Sequence, residues 1–293
     1  MEAIPVHLTC QSTSWPARLR GIPNPPSEIW LRGRGEWLER EPCIAIVGSR
    51  SASGYGLDQA ARFAHALAKA GFVIISGMAR GIDQAAHAGA LAAGGGTIAV
   101  LGNGVSDPWP RWSGLADLIE RGLLLSEFAP GQGPRRHHFP LRNRLIAALA
   151  DAVLVVEAAH ASGSLITAHW ALDMGREVFA LPGRVDHAMA SGTLRLLREG
   201  ARAVGSPGQL LADLSYETPT GLGGSPVALP RPEDADAARI FDALEGETLD
   251  INDLAARTGL PIPATMAHMA QLELAGLVLR GPGGLYRRPV RDG

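Results

Sequence analysis

Between residues 43 and 214 the chain alternates short apolar runs with longer helix-period stretches, and this alternation constrains the fold more than any other feature. The apolar runs are 44–47, 72–76, 97–101, 123–126, 152–157 and 177–181, with a weaker one at 201–204. Helical stretches separate them at 55–70, 81–93, 114–121, 141–150 and 165–174. Strands that are apolar at nearly every position leave no face for water, and the intervening helices supply the cover. The expectation is an α/β fold, a Rossmann-like doubly wound and mostly parallel sheet.

The flanks read differently. Residues 1–42 are rich in Pro, Trp and Arg and show no long periodic segment, so they are expected to form an irregular lead-in packed on the core. Residues 43–214 form the Rossmann-like domain. Residues 215–232 are rich in Pro, Gly, Ser and Thr and read as a linker. Residues 233–293 then predict three helices at 235–244, 251–258 and 263–275, with Asp250 capping the second, followed by a hairpin around Gly281-Pro282-Gly283-Gly284. Helix, helix-turn-helix and hairpin make a small winged-helix domain.

Composition bounds the function. With 46% apolar and 19% charged residues the 293-residue chain can bury a large core. No apolar run approaches the roughly 18 residues of a membrane span, and the first residues lack the apolar centre of a secretion signal. Cys10 and Cys43 have neither metal nor redox spacing, so no metal or cofactor is expected and the compartment is read as the reducing cytoplasm.

In an open parallel sheet ligands bind beyond the carboxyl ends of the strands. Here those ends carry Gly48-Ser49-Arg50, Gly77-Met78-Ala79-Arg80-Gly81, Gly102-Asn103-Gly104, Ser162-Gly163-Ser164 running on to Thr167, and Pro182-Gly183-Arg184. One Gly-rich exit is no more than a tight turn. Five on one edge, two followed at once by arginine, describe a groove of outward amides and positive charge suited to an anion. The anion is not a dinucleotide, because Arg50 stands where the second glycine of that fingerprint belongs. Nor is there a Walker motif, and Lys69 is the single lysine of the chain.

The strongest local signal is Arg135-Arg136-His137-His138-Phe139-Pro140-Leu141-Arg142-Asn143-Arg144, in a stretch without acidic residues from Glu127 to Asp151. Net charge is only −2, so this basic track is local. Arginines that follow phosphates, with an aromatic ring on which a base stacks, suit single-stranded nucleic acid. Phe139 is the expected stacking ring, Arg142 and Arg144 the phosphate contacts, and Asn143 an amide for a base edge or a helix cap. The bland alternative is a solvated basic loop with Phe139 anchored in the core.

These residues resemble the DNA-processing protein A family (DprA, also called Smf). The similar segments are IAIVGSR (44–50), SGMARGID (76–83), GGGTIAVLGNG (94–104), FPLRNRLIA (139–147), VVEAAHASGSLITA (155–168) and GREVFALPG (175–183). The resemblance spans roughly residues 15–214. It implies single-stranded DNA binding, a homodimer formed through the Rossmann-like domain, protection of incoming DNA, and loading of the recombinase RecA in natural transformation, without catalysis. It implies a DNA site at Gly48, Ser49, Arg50, Arg80, Phe139, Arg142, Asn143, Arg144, Ser162, Gly163, Ser164 and Thr167.

Two other readings compete. A nucleotide N-glycosidase of the Rossmann-like LOG type would share this sheet but needs a free carboxylate in the loop that here reads Ser162-Gly163-Ser164-Leu165-Ile166-Thr167; Glu157 is the nearest candidate. A sequence-specific transcription factor is suggested by the winged helix, yet the segment 263–275 that would enter the major groove contains no Arg or Lys.

Overall fold

Alternation along the central strands sends side chains to two separate cores. In β3 (Cys43–Val47) Ala45 and Val47 face one side while Ile44 and Ile46 face the other. Val73 and Ile75 of β4 (Val73–Ser76) split from Ile74 in the same way, as do Val153 and Val155 of β7 (Ala152–Val155) from Leu154. The register keeps like with like: Ile44 stands opposite Ile74 on one flank and Ala152 on the other. A computed structural model describes residues 4–216, 229–281 and 284–289.

Helices α1 (Gly54–Lys69) and α2 (Ile82–Ala92) cover the Ile44 side with Phe63, Leu67, Ile82 and Ala86. Helices α4 (His138–Leu149) and α5 (Ser164–Asp173) cover the Ala45 side with Leu145, Ile146, Leu149 and Leu165. Between them come β5 (Thr97–Val100), α3 (Leu115–Arg121) and β6 (Leu123–Ser126), and β8 (Glu177–Ala180), α6 (Ser191–Arg198), β9 (Arg202–Ala203) and α7 (Pro207–Asp213) complete the far edge. The parallel strands run in the order β6-β5-β4-β3-β7-β8-β9. The chain therefore leaves β3 towards β4 on one side and returns at β7 on the other. Successive crossovers diverge at this point, which leaves a crevice at the carboxyl ends of β3 and β7.

The lead-in differs from the expectation. Residues 4–42 are not wholly irregular: β1 (Val6–Thr9) and β2 (Glu28–Gly33) pair with each other and extend the sheet antiparallel beyond β6, with Trp30 opposite Ser126. The reason lies in Glu28–Gly33, where Ile29 and Leu31 enter the core while Trp30 and Arg32 stay half-buried. That two-residue period is short and hidden between prolines. The sheet thus has nine strands among the described residues.

Helices α8 (Ala235–Ala243), α9 (Ile251–Thr258) and α10 (Ile262–Leu274) pack Ile240, Leu254, Met269 and Leu272 into a core of their own. Asp250 caps α9, accepting from the Asp253 N–H at 2.8 Å, and Gly259 ends it in the left-handed region at φ 70°. The hairpin strands β10 (Leu279–Arg280) and β11 (Tyr286–Arg287) are two residues each. Residues 217–228 of the expected linker lie outside the described residues.

Candidate nucleic-acid interface

A cleft of about 760 Å³ opens at this crevice. It is lined from three sides by the segments singled out above: Gly48, Ser49 and Arg50 from the exit of β3, Phe139, Arg142 and Asn143 from the first turns of α4, and Ser162, Gly163, Ser164 and Thr167 from the start of α5. Arg80 and Arg144 do not line it.

The turn after β3 is fixed by backbone contacts. The Ser49 N–H donates to the Glu157 carbonyl at 2.7 Å, and the Ile82 N–H donates to the Ser49 carbonyl at 3.2 Å. Gly81 makes this approach possible: it sits at φ +85°, and a Cβ there would lie 2.3 Å from the Ser49 carbonyl oxygen. Ser53 then caps α1 by accepting from the Gly56 N–H at 3.0 Å. With both neighbours pinned, Arg50 projects into solvent and its guanidinium lies 5.2 Å from the centre of the Phe139 ring.

Helix α4 begins at His138, ahead of the expected start at 141, so Phe139 lies in its first turn while Arg135, Arg136 and His137 precede it. Pro140 is tolerated there because a first-turn N–H has no intrahelical acceptor. His138 is buried, stacks on Phe128 at 3.9 Å and contacts the Gly102 carbonyl at 3.1 Å. Burial holds its pKa below the usual value. Phe139 is half-buried, its ring packed where a Cβ on Gly102 would come within 2.8 Å.

Two arginines expected to meet phosphate have structural work. Arg144 is buried and holds Glu127 through both terminal nitrogens, at 2.7 and 2.6 Å, while its Nε donates to the Asn24 carbonyl at 2.9 Å. Expected as a DNA contact, it lies off the cleft and ties α4 to the residues after β6 and to the lead-in. Arg142 lines the cleft but is 3% exposed, and donates to the carbonyls of Gly77 and Val100 and to Asn143 Oδ1. Its guanidinium fills the place where a Cβ on Gly77 would stand. Burial lowers its pKa to about 10, which keeps it cationic at neutral pH. Asn143 does not cap the helix; its amide donates to the Gly163 carbonyl at 3.0 Å and so ties α4 to the start of α5.

The positive charge open to a ligand comes from other residues. Arg50, Arg80, Arg135 and Arg136 are exposed, and among the described residues none has a carboxylate within ion-pair distance. Elsewhere some arginines are paired, as in Arg18–Asp151 at 2.8 Å and Arg202–Asp213 at 2.7 Å, and others, such as Arg40, Arg111 and Arg198, are exposed without an ion pair among the described residues. Arg136 lines the cleft, as do Trp109, Asp83 and Met189, four residues absent from the expected site. Asp83 turns its Oδ2 to the N–H groups of Gly77 at 3.1 Å and Ala79 at 3.2 Å. Burial raises its pKa, opposed by the charge of Arg142 and those two N–H groups. Arg136 could have been found, because it lies in the basic run. Trp109 carried no signal beyond its place in a strand-exit loop.

Glu157, the carboxylate an N-glycosidase would need, is 6% exposed and does not line the cleft. Its two oxygens accept from the Ser53 N–H at 2.9 Å and the Ser53 hydroxyl at 2.5 Å. Among the described residues no cluster of three or more His, Cys, Asp or Glu could hold a metal ion, and no helix is long and apolar enough to cross a membrane.

A doubly wound sheet with an arginine-bearing cleft at its crevice, followed by a small winged helix, defines a Rossmann-like module joined to a helix-turn-helix module. The chain belongs to the DNA recombination-mediator protein A family, the DprA/Smf proteins, whose profile matches residues 6–215; that of the DprA winged helix domain matches 224–284. It is 38% identical to Protein Smf of Escherichia coli over 96% of this chain and 76% of that one. Among solved structures it resembles DNA processing protein A of Streptococcus pneumoniae, with TM-score 0.68 and 38% identity over 72% of this chain and 74% of that one. It also resembles the Helicobacter pylori protein described for its single-stranded DNA binding mode, with TM-score 0.66 and 28% identity over 74% of this chain and all of that one.

Proposed function

We propose that this chain binds single-stranded DNA in the cleft between β3, α4 and α5, as a non-catalytic binding protein. The observation that carries the reading is the pairing, in one cleft, of exposed arginines without carboxylate partners, Arg50 and Arg136, with the partly open rings of Phe139 and Trp109. Phosphates take the arginines and the strand-exit amides, and bases, which a duplex keeps stacked inside, take the rings. That the Helicobacter pylori relative binds single-stranded DNA supports the same class of ligand. Arg80, exposed at the neighbouring exit, extends the positive field beyond the cleft. On the strength of family membership we extend the proposal to a cytoplasmic homodimer that protects incoming DNA and loads RecA.

The test is equilibrium binding of a labelled single strand and of the duplex of the same sequence. Tighter binding of the single strand is expected, together with faster RecA filament formation when the protein is added. Equal or weaker binding of the single strand would remove the proposal, and release of free base from nucleoside monophosphates would replace it with the glycosidase.

A further inference from the structure

Among the residues that line the cleft Trp109 is the tryptophan, and it is 43% exposed. It stands in the loop that follows β5, and its place there is built. Its backbone N–H donates to Asn103 Oδ1 at 3.3 Å. Asn103 is itself buried at 1% exposure, with its amide on the carbonyls of Asp107 at 2.7 Å and Gly104 at 3.1 Å. The Ser126 hydroxyl at the end of β6 donates to the Asn103 carbonyl at 2.7 Å. A buried asparagine therefore anchors the loop to the sheet and carries the indole at the cleft wall.

The neighbouring rings divide the work. The Trp109 and Phe139 centroids are 5.6 Å apart with planes tilted by 50°, so one flat base cannot lie against both faces. Phe139 is the less open of the two: Gly102 backs it and the Arg50 guanidinium lies over it. An aromatic contact that must slide in and out needs an open face on a rigid mount, and Trp109 has both.

We propose that Trp109 is the base-stacking residue of the cleft, with Phe139 as the buttress that sets the tilt of the indole. This rests on the single-stranded DNA reading above and adds the residue that meets the base. A stacked nucleobase lies on Trp109 while its flanking phosphates reach Arg50 on one side and Arg136 on the other.

The test compares wild type, Trp109→Ala and Trp109→Phe, each checked for a normal melting transition, in binding to an unlabelled thymidine oligonucleotide and a labelled one of the same length. Trp109→Ala should bind about tenfold more weakly, and Trp109→Phe, which keeps a ring, should recover part of that loss. Tryptophan emission of the wild type should be quenched on saturation, and most of that quench should vanish in Trp109→Phe. The Phe variant keeps the test decisive if the Ala variant does not fold. Undiminished quenching in Trp109→Phe, or wild-type affinity in a folded Trp109→Ala, overturns the stacking assignment while leaving DNA binding intact. A wild-type protein that binds no single strand overturns the parent reading and this one with it.

Discussion

The Arg50 guanidinium lies over the Phe139 ring at 5.2 Å, and this contact joins the exit of β3 to the first turn of α4 across the mouth of the cleft. The two residues are 89 positions apart in sequence (139 − 50), one in the turn after β3 and the other on the helix that carries the chain from β6 back to β7. The ring holds the cation without neutralising it, as a carboxylate would. The charge is thus positioned and still available to a phosphate.

Arg50→Ala should weaken single-strand binding more than tenfold, since a charge-assisted contact contributes roughly 1.5–3 kcal/mol. The residue is exposed, and an exposed cation–π contact contributes only about 0.5–1 kcal/mol, so the fold should survive. Binding titrations alongside thermal melts check both halves. Unchanged affinity with wild-type melting would remove Arg50 from the site.

Arg144→Ala should behave in the opposite way. It strands Glu127, whose side chain is 10% exposed, as a buried carboxylate without its partner. Breaking such a pair costs about 3–5 kcal/mol, a marked drop in melting temperature. The double change Arg144→Met with Glu127→Leu should recover much of the loss, because it removes both charges together. A single variant that melts normally but binds DNA poorly would return Arg144 to the interface.

His87 predicts a pH dependence of stability. It is fully buried, its Nδ1 lies 2.7 Å from Thr97 Oγ1, and among the described residues no hydrogen-bond partner reaches its Nε2. Burial, with the Arg142 charge assisting, pushes its pKa down to about 3. The unfolded chain takes up a proton near pH 6.5 and the native state does not. The stability this imidazole contributes is therefore complete above about pH 6.5 and is lost as pH falls towards the native value, at roughly 1.4 kcal/mol per unit. Urea unfolding of wild type and His87→Gln between neutral pH and mild acid should show the slope in the first and a shallower one in the second. Parallel slopes would show that His87 is protonated in the native state.

The sheet was legible because parallel strands such as Val73–Ser76 are buried on both faces and so contain almost nothing but apolar residues. Ile29 and Leu31 were not, because two core residues between polar neighbours look like any loop until β6 is there to pair with them. At the site, glycines and serines at strand exits could be read directly, since the turn and the amides are properties of the backbone. The roles of the arginines could not. Arg144 meets Glu127, 17 residues earlier, and Arg142 meets the carbonyls of two other strand exits. A run of arginines shows charge density; only the fold shows which charges are already spoken for.

Residues 233–293 should be dispensable for the cleft, because none of the described ones lines it. A truncated protein ending before Glu233 is expected to keep its single-strand affinity within a few-fold. Collapse of binding in a folded truncation would move the site to the winged helix.

Salt dependence separates the ionic contacts from the aromatic ones. Each phosphate neutralised on a single strand lowers the log–log slope of affinity against salt by about 0.7. With Arg50 and Arg136 exposed in the cleft and strand-exit amides beside them, a slope between about −1.5 and −3 is expected. Arg50→Ala and Arg136→Ala should each make it shallower by about 0.7, because each leaves one phosphate with its counterion. Phe139→Ala should lower affinity at every salt concentration with the slope preserved, since a ring releases no counterion and Arg50 remains able to reach its phosphate. Arg142→Ala belongs with neither group. Its guanidinium is enclosed by Gly77, Val100 and Asn143, so its loss should appear first in the melting temperature and only then in binding. The measurement is affinity at four or more salt concentrations for each variant. A shallower slope in Phe139→Ala would mean that the ring is needed to place Arg50 on its phosphate, and a full 0.7 change in a stably folded Arg142→Ala would mean that this buried guanidinium reaches DNA after all.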